Sequence, residues 1–337
     1  MKFGPSTPRE AVGARLSHSI AAGGQRWRKG LDVTAQIAEA MEAAGVAQVI
    51  VTRLEEGDVG EDEAARRVAE SALGKGLRAE APFTGRCNLF ATHAGVLVAD
   101  VAGVDAVNAI DESVTLATLA AFAPVVEGEM VATVKIIPFA APAHVVAAAA
   151  GRARGTLRVA PYRAMRVGVV ATMTQGFKPS IVAKTGRVFA ERLAPAGATI
   201  IAERRTPHEA QAVADAVAEI APDSDLIVIF GASAIADRRD VIPSGLEKAG
   251  GEVRRLGMPV DPGNLLMLGR LGDTPVIGAP GCARSARENG FDWVLSRILA
   301  DVPVAPDDIR EMGVGGLLKE IASRPQPREG GDGGGHD

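Results

Sequence analysis

Residues 225–230, Asp225–Leu226–Ile227–Val228–Ile229–Phe230, run straight into Gly231–Ala232–Ser233 and then Asp237–Arg238–Arg239–Asp240–Val241–Ile242–Pro243. Five consecutive apolar residues, β-branched at their centre, read as a strand buried on both faces. The small residues behind it let backbone N–H groups approach an anion closely. The acids Asp237 and Asp240 offer oxygen ligands to Mg²⁺, and the arginines offer charge to phosphate. A buried strand, a small-residue loop and a charged cluster in that order make a phosphate-binding corner. Asp261–Pro262–Gly263–Asn264 and Pro280–Gly281–Cys282–Ala283–Arg284–Ser285 repeat the small-residue theme, and the second is expected to open a helix.

Outward from this stretch, strands and helices alternate from about Pro161. Val167–Gly168–Val169–Val170, Thr199–Ile200–Ile201 and Val276–Ile277–Gly278 read as further strands. Val182, Gly186, Phe189 and Leu193 fall on one helix face, ended by Gly197. Residues 208–220 carry Val213, Val217 and Ile220 at helical spacing, and Phe291, Val294, Leu295 and Ile298 mark a closing helix. Such alternation predicts an α/β fold: a C-terminal, mostly parallel sheet with helices on both faces. In these sheets ligands bind beyond the carboxyl ends of the strands, where the small-residue loops fall.

A smaller α+β region precedes it. Thr34 is placed to cap a helix through Ile37, Met41 and Ala44, which Gly45 stops before a strand at 48–52. An acidic loop from Glu55 leads into a helix with Ala65, Val68 and Ala72 on one face. Val96–Leu97–Val98 and residues 131–137 read as strands. Thr84–Gly85–Arg86–Cys87–Asn88 reads either as a loop facing a ligand or as a structural turn with a packed cysteine. The domains expected are residues 1–160, residues 161–328, and a disordered Gly-, Asp- and His-containing tail over 329–337 in which His336 is solvated.

Aromatic residues make up only 4% of the chain against 47% hydrophobic, so the core is built from Ala, Val, Leu and Ile. The net charge of −4 gives no overall attraction to nucleic acid, so any anion site is local. Two cysteines, Cys87 and Cys282, make neither a disulfide framework nor a Cys-x-x-Cys metal pair. The first residues have no apolar signal core and no apolar run is long enough to span a bilayer. These features predict a soluble, cytoplasmic protein without nucleic-acid or membrane partners.

The region from Arg166 to about Val302 resembles the molybdopterin-binding domain of molybdenum-cofactor biosynthesis proteins, shared by molybdopterin adenylyltransferases and molybdopterin molybdotransferases. Gly231–Ala232–Ser233 stands at the family's Gly-Gly-Thr/Val-Gly/Ser loop. Arg238–Arg239–Asp240–Val241 resembles the adenylyltransferase form of the segment after that loop, with Asp240 on the functional aspartate. Asp261–Pro262–Gly263–Asn264–Leu265 matches the Lys-Pro-Gly-Lys/Asn-Pro segment. Ala279–Pro280–Gly281–Cys282–Ala283 matches the Leu-Pro-Gly-Asn-Pro segment, with Ser285 on a family serine. Ala171–Thr172–Met173 falls at the first-strand loop. The chain departs from the pattern at Ala232, at Asp261 in place of lysine, and at His208–Glu209 in place of paired aspartates. Its N-terminal region lacks the Ala-Met-Asp-Gly-Tyr motif of full-length molybdotransferases.

The resemblance implies a molybdopterin ligand, free or adenylylated, with Mg²⁺ and a molybdate or AMP moiety at the same place. A phosphate wants backbone N–H groups and guanidiniums, which Gly231, Ser233, Arg239 and the loop carrying Pro280, Gly281, Arg284 and Ser285 supply. A pterin wants acceptors for its amino groups, which Asp240 or Asn264 supply beside Asp261, Pro262 and Gly263. Thr172 lies at the first strand's end, and Lys178, Lys184 and Arg187 come after it. Asp237 and Asp240 are the candidate catalytic carboxylates, and Asp240 the metal ligand.

Each residue also has a plainer role. Asp240 is well placed to cap the helix near Pro243, Arg238 and Arg239 to be surface charges, and Asp261 to be a turn residue. Cys282 is either a thiol with a lowered pKa near the dithiolene or a packed small residue. His208 is a phosphate donor, a base, or a polar residue at a helix start. Three activities remain open: an enzyme assisting molybdate insertion, a non-catalytic carrier serving a nucleotidyltransferase or molybdoenzyme, and a nucleotide-processing enzyme. Proteins with this domain imply a homo-oligomer and other cofactor-synthesis proteins or molybdoenzymes as partners.

Overall fold

The computed structural model describes residues 1–176 and 179–318. Lys178 and the tail expected over 329–337, with His336, lie outside the described residues. The chain divides into two compact units, Met1–Ala160 and a second beginning at Pro161. No described helix is long and apolar enough to cross a membrane.

The first unit is antiparallel α+β. Strand Val49–Arg53 lies between Lys2–Ser6 and Arg15–Leu16, covered by helix Ala35–Ala43. Thr34 caps that helix by accepting from Ile37 N–H, and Gly45 leaves it with φ +81°. A four-stranded sheet in the order Val114–Thr118, Met130–Ile136, Arg86–Ala91, Leu77–Ala79 carries most of the unit's core, against helices Glu61–Ala72 and Ala143–Ala153. The expected loop over 84–88 is shorter than its composition suggested. Thr84 and Gly85 alone make the turn, with φ +51° and +71°, and Arg86 already begins a strand that places Cys87 in the core. Alternation of buried and exposed side chains along that strand outweighs its polar composition.

The second unit is built on one six-stranded sheet. Its strands are β1 (Arg166–Met173), β2 (Thr199–Pro207), β3 (Leu226–Phe230), β4 (Glu252–Leu256), β5 (Met267–Leu271) and β6 (Thr274–Ala279). The spatial order is β2-β1-β3-β6-β5-β4, parallel from β2 through β6, with the β5–β6 hairpin and the β4–β5 pair antiparallel. Four helices cover it: α1 (Pro179–Leu193), α2 (Ala210–Ile220), α3 (Val241–Lys248) and α4 (Gly290–Leu299).

Strand side chains alternate between two cores. Val167, Val169, Val228, Phe230 and Ile277 face Phe189 and Leu193 of α1 and Phe291, Val294 and Leu295 of α4. Val170, Ile227, Ile229 and Val276 face Val213 and Val217 of α2 and Ile242 and Leu246 of α3. Three of the chain's few aromatics meet in the first core: Phe189 lies edge-on to Phe230 at 5.4 Å and tilted against Phe291 at 6.0 Å. The sheet is covered on both faces, as the alternation predicted.

Three expectations shift at element ends. β2 continues from Thr199 to Pro207, and α2 starts at Ala210 rather than at His208. The segment from Pro280 makes a single 3-10 turn, Gly281–Arg284, and α4 begins only at Gly290. The reason lies at Asn289, whose side chain accepts from Phe291 N–H while Asp292 accepts from Asn289 N–H, a capping box that starts the helix there.

Candidate functional site at the carboxyl edge

Strand direction decides where the loops gather. β1, β2, β3 and β6 end on one edge of the sheet; β4, antiparallel to β5, which is antiparallel to β6, ends there too. The loops over 231–240, 257–266 and 280–289, together with Thr172 and His208, therefore share the carboxyl edge. All the expected site residues lie on these segments.

A chain of hydrogen bonds crosses this edge. His208, just past β2, has Nδ1 2.8 Å from Oγ1 of Thr172 at the end of β1. The same Oγ1 accepts from Ala232 N–H, past β3, at 2.7 Å. Gly231 O accepts from Arg284 Nη2, past β6, at 2.5 Å. Four strand ends are thus linked through side chains that are far apart in sequence. Thr172 is 1% exposed and Arg284 is half-buried. Burial pushes the Arg284 guanidinium below its ordinary pKa. Gly231 is required by space: a Cβ there would lie 2.6 Å from Ile242 Cδ1 and 2.7 Å from Ser233 O.

Asp240 is the N-cap of α3. Its Oδ1 accepts from Val241 N–H at 2.7 Å and its Oδ2 from Ala236 N–H at 3.0 Å. Asp237 pairs with Arg239 at 2.7 Å, an exposed contact that holds its carboxyl below the usual range. Arg238 donates to Val253 O, tying the loop to β4. Ser233 is exposed beyond the glycine.

The 261–264 loop is anchored on α4. Pro262 O accepts from Gly290 N–H at 2.8 Å, and Gly263 has φ +141° where a Cβ would lie 2.8 Å from Gly290 N. Asp261 N–H donates to Gly316 O and its carbonyl accepts from Leu318 N–H, so the segment at 316–318 runs beside it. Asn264 is exposed, and its carbonyl accepts from Met258 N–H.

The 280–285 turn has a support that sequence reasoning missed. Arg192, at the end of α1 and 10% exposed in its side chain, pairs with Asp292 at 2.5 Å. It also donates to the carbonyls of Ala283, Ser285 and Arg287. The sequence carries no signal for this, since Arg192 and Asp292 are 100 residues apart. Pro280 and Ala283 are buried, Gly281 and Ser285 exposed, and Cys282 half-buried. Burial pushes the Cys282 thiol up, opposite to the lowering that a helix start would give, because no α-helix begins at this turn.

Residues 168–301 match the model of a family described as a probable molybdopterin binding domain. This stretch belongs to that family. The molybdopterin-binding domain so delimited runs from β1 to the end of α4 and contains all three loops of the carboxyl edge.

Among solved structures, the chain is similar to a molybdopterin biosynthesis MoeA protein from Pyrococcus horikoshii. The two are 13% identical over 89% of this chain and 75% of the other, with a TM-score of 0.32. It is also similar to the molybdopterin biosynthesis enzyme MoaB from Thermus thermophilus, 20% identical over 41% of this chain and 98% of the other, TM-score 0.29. No curated protein matches the chain.

Within the molybdopterin-binding domain the donor groups fit an anion better than a cation. The small-residue turns at 231–233 and 281–285 carry exposed residues, Ser233, Gly281 and Ser285, next to backbone amides. The carboxylates are engaged: Asp240 by two amides, Asp237 by Arg239. Among the described residues no three His, Cys, Asp or Glu side chains converge to hold a metal. The described residues do not form a protein cage for Mg²⁺.

Proposed function

We propose that this protein binds molybdopterin, free or adenylylated, at the carboxyl edge of the C-terminal sheet, in the service of molybdenum-cofactor biosynthesis. The observation that carries the reading is the coincidence of the family match with the edge: residues 168–301 include the three small-residue loops that gather there. The terminal phosphate is assigned to backbone amides of the Gly231–Ala232–Ser233 loop and of the turn from Pro280 through Gly281 and Cys282 to Ser285. A fixed amide cradle binds a phosphate dianion without reorganising. Arg284 ties the two loops together, Thr172 fixes the first of them to the end of β1, and Arg239 adds charge at the rim. The pterin's amino groups are assigned to the loop of Asp261, Pro262, Gly263 and Asn264.

Two activities use such a site. In one, Asp240 and Asp237 assist attack of water on the phosphoanhydride of the adenylylated ligand, AMP leaving as molybdate is inserted. In the other, the protein is a carrier that hands the ligand to a nucleotidyltransferase or molybdoenzyme. The engagement of Asp240 with two backbone amides favours the carrier. A homo-oligomer and cytoplasmic location complete the proposal.

Titration of the purified protein with molybdopterin and with its adenylylated form, with and without Mg²⁺ and molybdate, tests it by binding and by AMP release. Tight binding without AMP release supports a carrier. Molybdate-dependent AMP release supports a molybdotransferase-like enzyme, and absence of binding to either pterin refutes the proposal.

A further inference from the structure

The hydrogen bonds around Thr172 determine the state of a histidine. A threonine hydroxyl has one proton to donate and two lone pairs to accept with. Thr172 Oγ1 accepts from Ala232 N–H, because a backbone amide can only donate. Its remaining described partner is Nδ1 of His208, at 2.8 Å. If Nδ1 carried a proton, Oγ1 would accept twice and the hydroxyl proton would have no acceptor among the described residues. Thr172 is 1% exposed, so water does not readily replace that acceptor, and an unmade hydrogen bond on a buried group is costly. The arrangement that satisfies every group has Thr172 donating to an unprotonated Nδ1. The imidazole proton then sits on Nε2, which no described residue engages.

We infer that His208 is held by Thr172 as the neutral Nε2–H tautomer and is an anion-binding donor of the carboxyl edge, taking a phosphomonoester oxygen. The assignment of that phosphate to molybdopterin rests on the function proposed above; the tautomer and the anion preference do not. His208 is half-buried and its own N–H is fixed on Met173 O at 2.9 Å, so the ring stands on an ordered backbone. Thr172 and Ala232 connect it directly to the Gly231 loop. A group with a fixed donor and no acceptor to offer selects for anions at this position.

The tautomer is read by long-range nitrogen–proton NMR on the full chain at about pH 8, where an ordinary imidazole is neutral. His208 is expected to show a protonated Nε2 and a bare Nδ1. Thr172→Val is expected to release the ring to a mixture of tautomers, and Thr172→Ser to preserve it. Inorganic phosphate is the probe for binding: its titration is expected to move the Nε2 resonance of the wild type. His208→Gln, whose amide reaches the Nε2 position, is expected to keep phosphate affinity within about threefold. His208→Asn, which keeps an acceptor near Nδ1 but lacks the outer donor, is expected to weaken it about tenfold or more, the scale of a hydrogen bond to a charged group.

An Nδ1–H tautomer in the wild type overturns the inference. So does a His208→Asn protein that binds phosphate as the wild type does, or an Nε2 resonance that phosphate leaves unmoved. A protein that fails to bind pterin while phosphate still moves His208 refutes the function proposed above and leaves this inference standing.

Discussion

Asp240 caps α3, and substitution separates that cap from the catalytic role proposed for it. As the cap of α3 it satisfies Val241 and Ala236 N–H groups. Asn caps nearly as well as Asp, whereas Ala removes the cap and costs about 1 kcal/mol. Asp240→Asn keeps one acceptor and loses the other, so it is expected to lower stability by less than Asp240→Ala, which loses both and costs about 1 kcal/mol or more. Turnover reads the other role. If the carboxylate assists cleavage, molybdate-dependent AMP release disappears in both variants; if Asp240 only caps, any such release survives in Asp240→Asn. The cap was legible in the residue's position before Val241 and Pro243; the second amide on Asp240 was not, because it depends on where Ala236 N–H points.

Two contacts between elements decide how firmly the edge is held. Arg192 links α1 to α4 and to three carbonyls of the 280–289 segment. Arg192→Met keeps much of the volume and removes the charge, leaving Asp292 without its ionic partner. It is expected to destabilise the protein by about 3 kcal/mol, and hydrogen exchange is expected to quicken first at 281–289. Gly245 lets α3 lie against α2: a Cβ there would fall 2.6 Å from Val213 Cβ. Gly245→Ala is expected to cost about 1–3 kcal/mol through overpacking despite alanine's better helix propensity, and a lowered melting temperature checks it. Unchanged melting would mean that the two helices separate without penalty.

The central strands were legible because burial on both faces demands unbroken β-branched runs, as at 226–230. β4 and β5 were not. β4 is an edge strand reading Glu252–Val253–Arg254–Arg255–Leu256, and β5 carries Gly269 and Arg270, so neither shows the apolar run of a central strand. The helix expected at Pro280 was misplaced for a similar reason: a Pro-Gly pair marks a turn, but the capping box that begins at Asn289 sets the start.

Across the whole molecule, ionisation couples to folding at several acidic pairs. Hydrogen bonds first from Arg66 and then from Arg67 draw Glu63 down to about 2, and Arg166 holds Asp225 below the usual range. Both carboxyls have folded-state pKa values below their unfolded ones. Their contribution is complete above about pH 4.5 and is lost as the pH falls toward about 2. Melting temperature is expected to decline over that interval, with a smaller decline in Arg66→Gln; a flat profile between about pH 5 and about pH 2 would contradict the pairing. The edge itself belongs to this scale. Thr172 and His208 are 36 residues apart, Thr172 and Ala232 60, and Gly231 and Arg284 53. The loops and His208 could be recognised one by one in the sequence, but strand order brings them together, and the packing of α1 on α4 adds Arg192.

Backbone amide NMR of the full chain during titration with molybdopterin tests the central claim most directly. The account predicts saturable shifts concentrated at 231–233, 261–264 and 281–285, and at His208. Shifts confined to residues outside the carboxyl edge, or no saturable shift at all, would contradict it.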